Sequence, residues 1–264
     1  LRDVAWLAAQ AGDEHEARRI TALAVEFRTD LHASLARSMA THGIDFIPGS
    51  VELGDFDATA IAIALTVADD GDGLPRAALD ATFDRYLAIR AERSDSTRWS
   101  NYSAYEIRIV GALLRLGRRD DALAVLHALL ADCRPAAWRQ WPEQSWRDYD
   151  APAFLGDLPH SWIGAEYIHA LTSAFAYEHH DDASLVLAAG VDGAWLHDEG
   201  VTVTALATHH GPLSYRLRRV DAQRVEMHVD AGITLPAGGL VLRPPLPAPL
   251  RALTVNGIAR HDFD

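Results

Sequence analysis

Between residues 139 and 162 the chain sets indole rings among carboxylates and a histidine. The first run is Arg139-Gln140-Trp141-Pro142-Glu143-Gln144-Ser145-Trp146-Arg147-Asp148-Tyr149-Asp150, and the second is Gly156-Asp157-Leu158-Pro159-His160-Ser161-Trp162. With Trp99 and Trp138, these segments hold five of the seven tryptophans, all in stretches that connect helical patterns. Connections are normally short and poor in large aromatic residues, because an indole in water must cover something to be worth its exposure. Flat aromatic faces grip sugar rings, and Glu143, Asp157 and His160 beside them would supply acid–base chemistry. Trp141-Pro142 disfavours helix, so Glu143 is expected on a stiff loop. The competing expectations are a Trp-rich seam, an ion pair from Glu143 to Arg139 or Arg147, and a structural role for Asp157 and His160 in pinning the loop.

Other polar clusters read more plainly. Asp55 and Asp57 precede a helical stripe, and at least one of them is expected to be its N-cap, worth ~1 kcal/mol. Ser103 and Glu106 have the spacing of a capping box at another helix start. His179-His180 and His209-His210 are adjacent pairs whose side chains diverge, and no cysteine or carboxylate set completes a metal site around them. Neither a metal nor an organic cofactor is expected.

The elements that would position these groups fall into two regimes. Apolar residues recur at helical spacing over 2–11, 14–41 (Ile20, Leu23, Phe27, Leu31, Leu35), 57–68, 75–92, 102–117, 119–133 and 161–178. Gly12-Asp13, Gly43, Gly71–Pro75 and Gly117–Asp120 punctuate them. Tight turns alternate with the long connections 42–56, 93–101 and 134–160, an arrangement of helical hairpins with the long loops on one rim. Beyond residue 180 the period changes. Stretches at 185–187, 200–208, 213–219, 224–229, 240–242 and 252–255 alternate or run apolar over strand lengths, separated by Gly211-Pro212, Asp230–Gly232 and Pro236–Gly239. The fold class expected is therefore mainly α with a β domain: α/α hairpins over 1–180, then a small antiparallel β-sandwich over 181–264.

Composition narrows the partners. The chain has 264 residues, 37 acids against 24 basic residues, and a net charge of −13, with no basic stripe for nucleic acid. All the basic residues are arginine. One cysteine, Cys133, excludes an internal disulfide. No apolar run approaches the ~20 residues of a membrane span, and no signal-peptide pattern opens the sequence. The compartment is left open. Because Leu1 falls directly inside a helical pattern, a further segment or domain upstream is expected, and so is self-association through the face it would cover.

The order of elements, together with four segments, resembles the bacterial six-hairpin glycosidases, α/α-toroid glycoside hydrolases of which the α-L-rhamnosidase type is the nearest. The segments are Ile44–Ser50 leading to Gly54-Asp55-Phe56-Asp57, Tyr102–Glu106, Gln140–Glu143 and Gly156–Trp162. The similarity is to the rear half of such enzymes and covers most of the chain. It implies a toroid, a carbohydrate substrate and two carboxyl groups across a glycosidic bond. Glu143 matches the base in a Trp-Glu loop late in the toroid. The acid would be Asp55 or would lie upstream of Leu1. Trp141, Trp146, Trp162 and Tyr102 would line the sugar site, with Asp157 and His160 on hydroxyls. Two alternatives stand beside this: a polysaccharide lyase on a similar toroid, using Tyr102 with His160, and a non-catalytic carbohydrate-binding or structural domain.

Overall fold

Helical periodicity resolves into seven α-helices among the described residues: α1 (Arg2–Gln10), α2 (Glu14–His42), α3 (Ala58–Thr66), α4 (Arg76–Ala91), α5 (Ile107–Arg115), α6 (Arg119–Ala131) and α7 (Ser161–Phe175). Ten short strands accompany them: β1 (Tyr102–Ser103), β2 (Gln144–Ser145), β3 (Ala176–His179), β4 (Ser184–Leu187), β5 (Val201–Thr208), β6 (Gly211–Arg219), β7 (Val225–Val229), β8 (Leu240–Leu242), β9 (Leu253–Val255) and β10 (Ile258–Arg260). The computed structural model describes residues 1–95, 97–133, 135–148, 150–246, 248–261 and 263. Arg134 and Tyr149 of the Trp-rich connection, and Pro247 of the proline cluster, lie outside the described residues. The protein is of mixed α/β type, and no described helix is long and apolar enough to cross a membrane.

Packing divides the chain into two compact units, residues 1–64 with 70–99 and residues 65–69 with 100–264. The first holds the connections 42–56 and 93–99, and the second holds 134–160. The change from helix to strand at Ala176 falls inside the second unit.

In the first unit α1 packs on α2, burying Ala5, Ala17 and Ile20. Asp13 caps α2 by accepting from the Glu16 amide at 3.0 Å. Gly43 ends that helix in the left-handed region at φ 63°, where a side chain would be strained. Asp57 is the cap of α3: its Oδ1 accepts from the amides of Thr59 and Ala60, each at 3.0 Å.

The second unit is built on α5, whose Ile107 and Ile109–Leu114 are all buried, against α6 and α7. This helix starts later than periodicity implied, because Tyr102 and Ser103 pair instead with Ser145 and Gln144 as strands β1 and β2. Likewise α7 stops at Phe175, since Ala176–His179 joins β4 as strand β3. Two three-stranded sheets, ordered β3-β4-β8 and β5-β6-β7, share one core around Leu185, Leu187, Leu213, Tyr215 and Leu217. One ladder departs from the antiparallel expectation: β4 and β8 run parallel, Leu185 opposite Leu240. The long connection that carries β5–β7 makes this crossover feasible.

Side chains tie the helices of this unit to its strands. Tyr215 donates its hydroxyl to the Phe175 carbonyl at 2.9 Å, at the end of α7. Arg119, at the start of α6, donates to the carbonyls of Ala189 (2.8 Å), Pro244 (3.1 Å), Ala188 (3.3 Å) and Arg243.

Candidate functional site

The Trp-Pro-Glu segment is held on both sides by backbone pairing. On one side Gln144 and Ser145 form β2 against β1. On the other, the Glu143 amide donates to the Asp157 carbonyl at 3.1 Å and the Gln144 amide to the Leu155 carbonyl at 3.0 Å. The His160 amide returns to the Trp141 carbonyl at 3.3 Å. Glu143, Asp157 and His160 are thereby brought to one place in the second unit, although seventeen positions separate the outer two along the chain.

Trp141 is the anchor of this arrangement. It is 3% exposed, packs with Ala104, Cys133 and Ile163, and donates its indole N–H to the Leu129 carbonyl at 2.7 Å. A ring so placed offers no open face to a sugar, and its part is to fix the loop. Tyr102 is also buried, and its hydroxyl donates to the Asp132 carboxylate. Burial first, then that carboxylate, push its phenol well above the usual range, so it stays protonated and committed. Trp146 is half-buried and donates to the Phe154 carbonyl. Trp162, at the start of α7, is 58% exposed.

The half-buried carboxylate of Glu143 makes no hydrogen bond or ion pair among the described residues, so the expected pairing with Arg139 or Arg147 is not found there. It lies over Gly156 (φ 66°).

Beside it runs a connected set of side chains. Tyr105 places its hydroxyl 2.7 Å from His160 Nε2, and His160 Nδ1 stands 3.6 Å from Asp157 Oδ2. The Tyr105 ring meets His160 and Trp162 edge-on, each with centroids 5.4 Å apart. Arg108 lies over the Tyr105 ring at 4.3 Å and over Trp162 at 5.4 Å. Its Nε donates to Glu166 Oε1 at 2.7 Å, and that oxygen also accepts from the Trp162 indole at 3.1 Å. Desolvation pushes the Tyr105 phenol above its usual range; Arg108 opposes this, and the charges of Glu143, Glu166 and Asp157 add to it. The phenol is therefore kept protonated beside a carboxylate-rich surface.

Arg108 and Glu166 were not marked by the sequence, and Tyr105 entered only within the Tyr102–Glu106 segment. Their contacts span 55 and 58 positions, and the only local signal was an arginine one helical turn after a tyrosine. Asp55 is exposed in the first unit, where its carbonyl accepts from the Gly49 amide at 2.9 Å. Among the described residues no three His, Cys, Asp or Glu side chains are grouped to hold a metal.

No protein-family model matches the chain, and neither does any curated protein or solved structure. Function must rest on the residues themselves. A half-buried carboxylate without a cationic partner among the described residues, a protonated phenol on an imidazole and an open indole can bind a hydroxylated ring and take a proton from a nucleophile.

Proposed function

We propose that the second unit carries the site of a carbohydrate-active enzyme of the glycoside hydrolase class, with Glu143 as general base. On this reading the helices belong to an α/α toroid. The observation that carries the proposal is the Glu143 carboxylate itself, fixed by backbone pairing on both sides and left without a charge partner among the described residues. A carboxylate kept for stability would be paired, since partial burial of an unpaired charge costs free energy. A carboxylate kept for proton abstraction must be free to accept one. Trp162 would stack on the sugar, and Asp157 and His160 would take hydroxyls, with Tyr105 holding the imidazole orientation through its 2.7 Å contact. Glu143 draws the proton from water as it attacks the anomeric carbon, while a second carboxylic acid protonates the leaving oxygen.

The Tyr105–His160 contact supports a second reading, elimination from a uronate polymer. There the imidazole would remove the proton next to the uronate carboxylate and the phenol would protonate the leaving oxygen. The opposing observations are the net charge of −13 and the engagement of Arg108 by Glu166.

The experiment is an assay of the chain and of its Glu143→Gln and Tyr105→Phe variants on aryl glycosides and on uronate polymers. Glycoside hydrolysis abolished by Glu143→Gln, and reduced but retained in Tyr105→Phe, is expected. Release of unsaturated uronate that survives Glu143→Gln and disappears in Tyr105→Phe would replace the first reading by the second.

A further inference from the structure

About 10 Å further along α5 from Arg108, at ~1.5 Å per residue, a separate cleft of about 200 Å³ opens among the ends of α5 and α7, strand β3 and strand β5. Its walls include Arg115, His169, Thr172, Glu178, Leu206 and Ala207. The Arg115 side chain is only 10% exposed, and its Nε and Nη1 have no hydrogen-bond acceptor among the described residues. Its one hydrogen bond among the described residues is a long one, from Nη2 to the Thr66 carbonyl at 3.4 Å. Asp69 stands 3.7 Å from Nε, close enough to balance the charge but too far to accept a hydrogen bond. Orphaned donors on a buried guanidinium are rare, because each forfeits its hydration without replacement.

Acceptors are unfilled on the same walls. Glu178 gives Oε1 to the His209 amide at 3.0 Å, and its Oε2 accepts nothing among the described residues. Thr172 donates its hydroxyl to the His169 carbonyl at 3.0 Å and keeps its lone pairs. Burial first, then the Arg115 charge, hold His169 below its usual range, so its ring is neutral at neutral pH and offers one donor and one acceptor.

The charges select the ligand. Asp69, which is not on the walls, balances Arg115, and Glu178 is the carboxylate on the walls themselves, so an anion entering here would meet that acid. A cation would meet a guanidinium that cannot lose its proton. A neutral molecule that both donates and accepts satisfies these walls without adding charge. At about 200 Å³ the cleft has room for one small ring-sized molecule, and Leu206 supplies an apolar surface for the C–H face of a sugar. We infer that this cleft binds a single neutral monosaccharide ring, at a site separate from the Glu143 cluster and not dependent on its chemistry.

The test is calorimetric or saturation-transfer titration of the full chain with neutral pentoses, hexoses and 6-deoxyhexoses, and in parallel with phosphate, acetate and glycine. At least one neutral sugar is expected to bind, with Kd on the order of millimolar. That binding should survive both Glu143→Gln and Trp162→Ala, which separates it from the proposed hydrolytic site. It should weaken at least tenfold in Ala207→Trp, where an indole at an exposed strand position fills the cleft without touching the core, and also in Glu178→Gln. The inference is overturned by any of three results: no sugar binds the folded chain, phosphate, acetate or glycine binds in place of sugars, or sugar binding is lost in Trp162→Ala but kept in Ala207→Trp.

Discussion

The Glu143 side chain lies across Gly156 so closely that a β-carbon built at residue 156 would stand 2.2 Å from Glu143 Oε2 and 2.6 Å from its Cβ. The glycine is therefore part of how the carboxylate is held. It is also left-handed, at φ 66°, where a side chain costs ~1–2 kcal/mol. Gly156→Ala is expected to lower the melting temperature modestly and to displace the carboxylate, so hydrolysis should fall by at least tenfold. Glu143→Gln should abolish hydrolysis while leaving the melting temperature within a few degrees, because no ion pair is lost among the described residues. An alanine at 156 that leaves turnover intact would show that the position of Glu143 is irrelevant to the reaction.

Trp162 is the open face of the cluster. Its indole is 58% exposed, so little packing is at stake if it is removed. Aromatic contacts of this kind contribute about 0.5–1.5 kcal/mol. Trp162→Ala should accordingly raise KM for a glycoside by up to about tenfold with kcat and melting temperature little changed. A large fall in melting temperature with KM unaltered would make the ring a support for Arg108 and Glu166 instead.

Arg119 ties the start of α6 to the chain just beyond strands β4 and β8, donating to four carbonyls in the segments 188–189 and 243–244. Burial lowers its pKa from the usual arginine value, Asp120 raises it and Arg243 lowers it, yet it remains a cation. Removing the donor leaves several carbonyls with partial access to water, so Arg119→Met is expected to cost about 2–4 kcal/mol. Chemical denaturation should show a lower midpoint with an unchanged slope. Loss of less than about 0.5 kcal/mol would mean that water replaces these bonds freely.

The regular elements were legible where one period ran for several turns. The stripe from Ile20 through Leu35, bounded by Asp13 and Gly43, predicts a helix over 14–41, and α2 is Glu14–His42. Prediction failed where pairing between distant segments outweighed local pattern. Tyr102 and Ser103 looked like a helix start, but their partners are Ser145 and Gln144. Two residues of strand leave no periodic mark. In the site, composition pointed to Glu143, Asp157 and His160 because acids and tryptophans are unusual in a connection. Whether a tryptophan there faces solvent or core is decided by tertiary packing, and Trp141 proved to be core. Arg108 and Glu166 resemble any charged helical residues until α5 and α7 bring them within 2.7 Å.

His169 supplies a pH test that does not depend on catalysis. Burial is the larger cause of its lowered pKa; Arg115 adds to the lowering, and Glu166 opposes it. The folded chain therefore binds this proton less readily than the unfolded chain, whose histidine titrates near the ordinary value of about 6.5. Stability from this group is fully present above that value and is lost as pH falls through the lower folded pKa, since the unfolded state binds more protons in between. Other groups titrate in the same range, so the difference between two proteins is the quantity to measure. His169→Gln places an uncharged amide at the site and removes the titration. The gap in unfolding free energy between the original chain and this variant should be constant above neutrality. It should then shift in favour of the variant as pH drops below about 6.5. Curves that stay parallel down to pH 5 would show that His169 is as easily protonated in the folded chain as in the unfolded one, and that neither burial nor Arg115 bears on it.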